Sequence, residues 1–91
     1  MSSEITIESL TIYDVETLKE TLMKACVPEA QLILDLAQVE EFDAAGFQLL
    51  IATQKELHQL QGSLLLKSAS ENVIKGMQAI GVESLFEQLA A

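Results

Sequence analysis

The chain has 91 residues, 49% hydrophobic and only 4% aromatic, with fourteen acidic against five basic residues and a formal charge of −9. That length provides one modest core and one domain over residues 1–91, and the composition is that of an aliphatic folded chain rather than a disordered one. The charge argues against nucleic acid, whose neutralisation needs clustered Lys and Arg, and equally against anionic membrane surfaces.

No run approaches the roughly 20 apolar residues that span a bilayer, and Met1-Ser2-Ser3-Glu4 lacks the basic start of a signal peptide, so a cytoplasmic location is expected. Cys26 is the only cysteine, which excludes an intrachain disulfide. It sits in an apolar helical pattern and is expected to be a buried, inert thiol.

Ile5-Thr6-Ile7-Glu8 alternates apolar with polar and is rich in β-branched residues, the pattern of a half-buried strand. The register changes near Ser9, so the pattern predicts a bend or a second short strand over residues 10–12. From Asp14 the period changes. Val15, Leu18, Leu22, Ala25 and Cys26 recur at helical spacing, with Asp14 as the expected cap and Pro28 as the stop. Residues 32–36 are four apolar residues around Asp35, a short near-continuous run that predicts a central strand covered on both faces.

Asp43 then caps a long helix over residues 44–61, closed by Gly62 as a left-handed terminator. Ser63-Leu64-Leu65-Leu66-Lys67 reads as another buried strand. Ser70 caps a third helix with Val73, Ile74 and Met77 facing inward, ended by Gly81, and residues 83–89 read as one or two further helical turns or a frayed tail. Strands alternating with helices imply an α/β domain: a mixed, mostly parallel four-stranded sheet, one edge supplied by the N-terminus, with helices packed on it.

Catalytic chemistry is sparse. Gly46, Gly62, Gly76 and Gly81 are too scattered for a phosphate loop, and His58 stands alone, without ligand spacing to other donors and without a nucleophile beside it. No cofactor, metal or enzyme activity is expected. Asp43 is read as a structural N-cap; the competing roles are proton transfer and phosphate binding, and Glu40 and Glu41 disfavour an anion there.

On the long helix Gly46, Leu49, Leu50, Thr53, Leu57 and Leu60 share an arc about 100° wide, the expected core stripe, with Gly46 letting the helix start lie close to the strands. Ala44, Phe47, Ile51 and His58 form a second strip beside it. Phe47 and Ile51 either extend the core toward a neighbouring helix or present an apolar surface to a partner with a basic rim. In the second case Phe47→Asp or Ile51→Lys is expected to remove partner binding while the fold survives. An edge strand or the Phe47 strip also offers a route to weak homodimerisation.

The run Leu34-Asp35-Leu36-Ala37-Gln38-Val39-Glu40-Glu41-Phe42-Asp43-Ala44-Ala45-Gly46-Phe47-Gln48-Leu49-Leu50 resembles the core motif of STAS domains. That family includes bacterial anti-sigma factor antagonists and the cytoplasmic domains of sulfate transporters. Its motif is an apolar strand ending in Asp-Leu, a short loop, and Asp-Ser/Thr-x-Gly opening a helix; Asp43, Ala44, Ala45 and Gly46 fall on those four positions. The order from Leu10-Thr11-Ile12-Tyr13-Asp14 through Ile80-Gly81-Val82 also fits, and the Gly-Phe-Gln-Leu-Leu run is most similar to the compact, stand-alone bacterial branch. The family's last strand and long terminal helix are expected to be shortened or missing after Gly81.

In STAS antagonists the residue after the Asp is a Ser or Thr phosphorylated by the partner kinase, and phosphorylation releases the partner. Here it is Ala44, which has no hydroxyl, so the resemblance implies a docking surface around Asp43, Ala44, Ala45, Phe47 and Ile51 that is not switched at the usual site. It further implies a partner: an anti-sigma factor or a histidine-kinase-type regulator in a chemotaxis or two-component pathway. The alternative is an accessory STAS subunit binding the ATPase of a lipid-transport ABC complex.

Overall fold

The computed structural model describes residues 2–81. β3 (Gln31–Asp35) is the central strand of a three-stranded sheet in the order β1-β3-β5, with β1 (Ser2–Thr6) on one side and β5 (Ser63–Lys67) on the other. Both pairings are parallel, aligning Ile5 with Leu34 and Leu34 with Leu66. A separate parallel pair joins β2 (Ser9–Leu10) to β4 (Glu41–Phe42). Parallel neighbours need crossovers, supplied here by α1 (Val15–Ala25) and α2 (Ala44–Gln59); α3 (Glu71–Ala79) follows β5. The fold is a small α/β domain of three helices and five strands among the described residues, against the four strands expected. The N-terminal edge strand is as expected; the sheet is parallel rather than mixed.

The core lies on one side of that sheet. Leu32, Leu34, Leu64 and Leu66 are buried against Leu22, Leu50, Leu57 and Val73, while Ile33 and Leu65 on the opposite face are only half-buried. The central strand is therefore covered fully on one face and in part on the other, where Lys67 Nζ pairs with Glu4 at 3.3 Å. β3 ends in an Asx turn, the Ala37 amide donating to Asp35 Oδ1 at 3.0 Å.

The stripe on α2 is buried at Gly46, Leu49, Leu50, Thr53 and Leu57, but Leu60, expected on it, is the half-buried C-cap where the helix has already ended. Phe47 joins the buried residues, so the second strip is split between the core and the surface. The end of α2 differs from expectation. Gln61, at φ 61°, takes the left-handed position, its amide donating to the His58 carbonyl and the Gly62 amide to the Leu57 carbonyl, a Schellman closure. Gly62 is needed for a different reason: a Cβ there would collide with the Ala30 carbonyl. On α3, Val73 and Met77 are buried but Ile74 is 44% exposed, because the helix lays a narrower face on the core than its sequence offers. The turns expected at residues 83–89, and the shortened C-terminal elements, lie outside the described residues. No helix among those described is long and apolar enough to cross a membrane.

Candidate functional site

The start of α2 is held by a short set of backbone bonds that follow from its sequence. β2 and β4 pair Leu10 with Phe42, and the next amide, Asp43 N, donates to the Leu10 carbonyl at 3.0 Å. The chain then turns into α2 directly against β2, where a Cβ on residue 46 would strike the Leu10 carbonyl, so only Gly46 permits this approach. Asp43, extended at φ −138°, caps the helix as expected: its Oδ1 accepts from the Gly46 amide at 3.0 Å. Its other oxygen, Oδ2, accepts from the Ile12 amide at 3.0 Å, which ties the β2–α1 loop to the helix start.

Asp14 departs from the expected cap. Its carboxylate makes no capping bond to α1 and turns back into the loop, where Oδ2 accepts from Ser9 Oγ at 2.6 Å, Thr11 Oγ1 at 2.8 Å and Thr11 N at 3.0 Å. The Ser9 hydroxyl first, then the Thr11 hydroxyl and amide, hold its carboxyl below the ordinary 3.8, since all favour the charged form. Thr11 Oγ1 in turn accepts from the Tyr13 amide at 3.2 Å. The short loop between β2 and α1 is thus held by two carboxylates, those of Asp14 and Asp43.

The loop ahead of α2 is pinned by α3. Ser70 Oγ donates to the Val39 carbonyl and Asn72 Nδ2 to the Glu40 carbonyl, each at 2.7 Å, and Ser70 also caps α3 through the Val73 amide at 3.2 Å. Gly76 of α3 sits against the Phe42 ring so closely that a Cβ would overlap it.

Around this frame the sequence-predicted residues separate. Ala44 is exposed at the first position of α2, Ala45 and Ile51 are half-buried, and Phe47 is 8% exposed. The edge of Phe47 and the side of Ile51 line a shallow apolar hollow with Ala52. Ala45 faces a second groove, between α1 and α2, whose floor includes Ile12, Val15, Met23 and Leu49. His58 is exposed at the far end of α2, away from the helix start. Cys26 is half-buried rather than fully enclosed; its partial burial first and the Glu56 carboxylate second push the thiol above the ordinary 9.0, which keeps it protonated and unreactive at neutral pH.

Sequence reasoning passed over Ile12 and Tyr13. They are 59% and 94% exposed and stand on the loop beside Asp43. The sequence left residues 10–12 open as a bend or a short strand; β2 ends at Leu10, and the bend leaves Ile12 and Tyr13 outside it.

The family model of the STAS domain matches residues 6–91. The chain belongs to the STAS family. Among solved structures it is similar to the anti-sigma factor antagonist SpoIIAA in its unphosphorylated form, at 20% identity and a TM-score of 0.71, covering 91% of this chain and 75% of that one. At that identity the likeness speaks to the fold. A search of curated proteins finds no match. Within the run from Asp43 to Gly46 the geometry explains two positions: the Asp joins helix to loop, and the Gly admits the β2 backbone.

Proposed function

We propose that this STAS chain is a non-enzymatic protein-interaction module, a single domain over residues 1–91. It docks through the start of α2 on an anti-sigma factor or a histidine-kinase-type regulator in bacterial signalling. The observation that carries the reading is the exposed methyl of Ala44 at the first position of α2, directly after the capping Asp43 and on the same helix as the half-buried Ala45 and Ile51. A phosphate here would add about two negative charges. With no hydroxyl to accept it, the surface stays in its uncharged form, and docking is not switched at the usual site. The contact residues are Asp43, Ala44, Ala45, Ile51 and the exposed edge of Phe47.

The test is affinity capture from native extract with the wild-type chain, Ala44→Asp and Ile51→Lys, followed by identification of the retained protein. An added carboxylate at the first position of a helix suits its dipole, so Ala44→Asp leaves the fold intact while placing charge on the contact. Retention of an anti-sigma factor or kinase by the wild type and its loss from both variants is expected. Equal retention by all three overturns the reading, and retention of an ABC ATPase instead moves it to the accessory-subunit role.

A further inference from the structure

Ile12 and Tyr13 are adjacent, large and outward, and neither serves the core. Scattered exposed apolar residues are ordinary on a protein surface. These two are different because their backbone is fixed: the Ile12 amide donates to Asp43, the Tyr13 amide to Thr11 Oγ1, and Thr11 is held by Asp14. A loop so bonded has already lost much of its backbone freedom, so little further ordering is needed when it meets a partner. Tyrosine is also the side chain that most often supplies contact area at small conformational cost.

Beside Tyr13 lies a hollow lined by Phe42, Glu40, Glu41 and Asp43, together with Thr11 and Asn72. Two aromatic and three acidic residues line it and no Lys or Arg does; Asp43 already holds the Ile12 and Gly46 amides, which leaves Glu40 and Glu41 as the carboxylates open to a cation. A flat cation that stacks on a ring while presenting paired N–H donors at its edge satisfies both features, and guanidinium does this where an ammonium, a compact point charge, does not.

We propose that Tyr13, with the hollow beside it, is the anchor point of docking, and that its occupant is an arginine side chain on the surface of a partner protein. The guanidinium lies over the Tyr13 ring and pairs with the carboxylates of Glu40 and Glu41, while the neighbouring Ile12, at the edge of the α1–α2 groove, meets the apolar part of the partner. The inference rests on the reading that the chain docks through the start of α2. A second copy of this chain is the wrong occupant. The sequence contains no arginine, and each copy carries a formal charge of −9. All five of its cationic side chains are lysines, and two of them, Lys67 and Lys75, pair with Glu4 and Glu71 at 3.3 and 3.1 Å.

The probe is a synthetic amphipathic helical peptide with leucines on one face and arginines flanking them, compared with analogues carrying lysine or citrulline in place of arginine. Binding is followed by calorimetry and by amide NMR shifts. The arginine peptide is expected to shift the signals of Ile12, Tyr13, Glu40 and Glu41. The lysine analogue is expected to bind several-fold more weakly and the citrulline analogue about 10-fold more weakly or worse. Tyr13→Ala lowers affinity about 5- to 10-fold with an unchanged melting temperature, and Tyr13→Phe retains it. Absence of binding by the arginine peptide, equal affinity for all three peptides, or shifts confined to Val15, Met23, Ala45 and Leu49 of the α1–α2 groove would each overturn the proposal. In the capture experiment, loss of the partner by Ala44→Asp but not by Tyr13→Ala removes the arginine anchor and leaves the docking reading standing; loss by neither removes both.

Discussion

The Asp43 carboxylate joins Ile12 to α2: one oxygen accepts from the Gly46 amide at the helix start and the other from the Ile12 amide in the β2–α1 loop, each at 3.0 Å. A residue that looks like a helix cap is therefore also the fastener of the loop that presents Ile12 and Tyr13. Helix start and loop form one surface because a single side chain serves both.

Asp43→Ala removes both bonds and is expected to destabilise the fold by about 2 kcal/mol, roughly half from the lost cap and half from the Ile12 amide left without its partner. Asp43→Asn keeps one carbonyl oxygen and can accept from only one of the two amides, so its loss is about half as large. Urea unfolding of the three proteins gives the comparison, and amide exchange at Ile12 reports whether the loop bond is the one given up.

Phe47 and Ile51 are expected to separate cleanly. Phe47→Asp places a charge among buried residues and unfolds the domain, and even Phe47→Ala costs about 3 kcal/mol or more. Ile51→Lys keeps the aliphatic stem along the surface with its charge in water and changes stability by about 0.5 kcal/mol or less. The expectation that Phe47→Asp spares the fold is thus corrected by its burial, and only the Ile51 variant isolates docking. Circular dichroism melts distinguish the two before any binding is measured.

At the end of α2, Gln61→Gly is expected to stabilise the domain by about 0.5–1 kcal/mol, because Gln61 holds a left-handed backbone that glycine adopts without steric penalty. Gly62→Ala is expected to cost about 1–3 kcal/mol through its collision with the Ala30 carbonyl. Thermal melts of the two variants should move in opposite directions. A reading of Gly62 as the left-handed terminator predicts no gain at residue 61.

Asp14 sets an acid limit on the loop. Its folded carboxyl titrates below the ordinary 3.8, so its contribution to stability is fully present above that value and is lost as pH falls through the lower folded value. Asp14→Asn removes this dependence. The stability gap between wild type and Asp14→Asn, followed by urea midpoints against pH, is expected to be constant near neutrality and to narrow below about 3.8.

The periodic features were legible because they are set by local geometry. The stripe from Gly46 to Leu57 has one face whatever it packs on, Asp43 and Ser70 are placed where free helical amides need acceptors, and Pro28 stops α1. The resemblance to STAS domains drew on the same run and was correct for the family. What failed were choices between two local roles open to one residue. Asp14 could cap α1 or bond Ser9 and Thr11, and the nearby hydroxyls of the folded loop won. Gly62 could be left-handed or merely small, and the neighbouring Ala30 backbone made it the second.

The sequence by itself determined the alternation of strands and helices, most of the buried stripe of α2 and its capping aspartate, because each follows from the period of the backbone or the chemistry of one side chain. Only the tertiary structure decided that Phe47 turns inward and that Ile12 and Tyr13 stand out beside Asp43, because exposure depends on which elements the chain brings against each face. That is a matter of contacts between residues as far apart as 12 and 43, which no local pattern encodes.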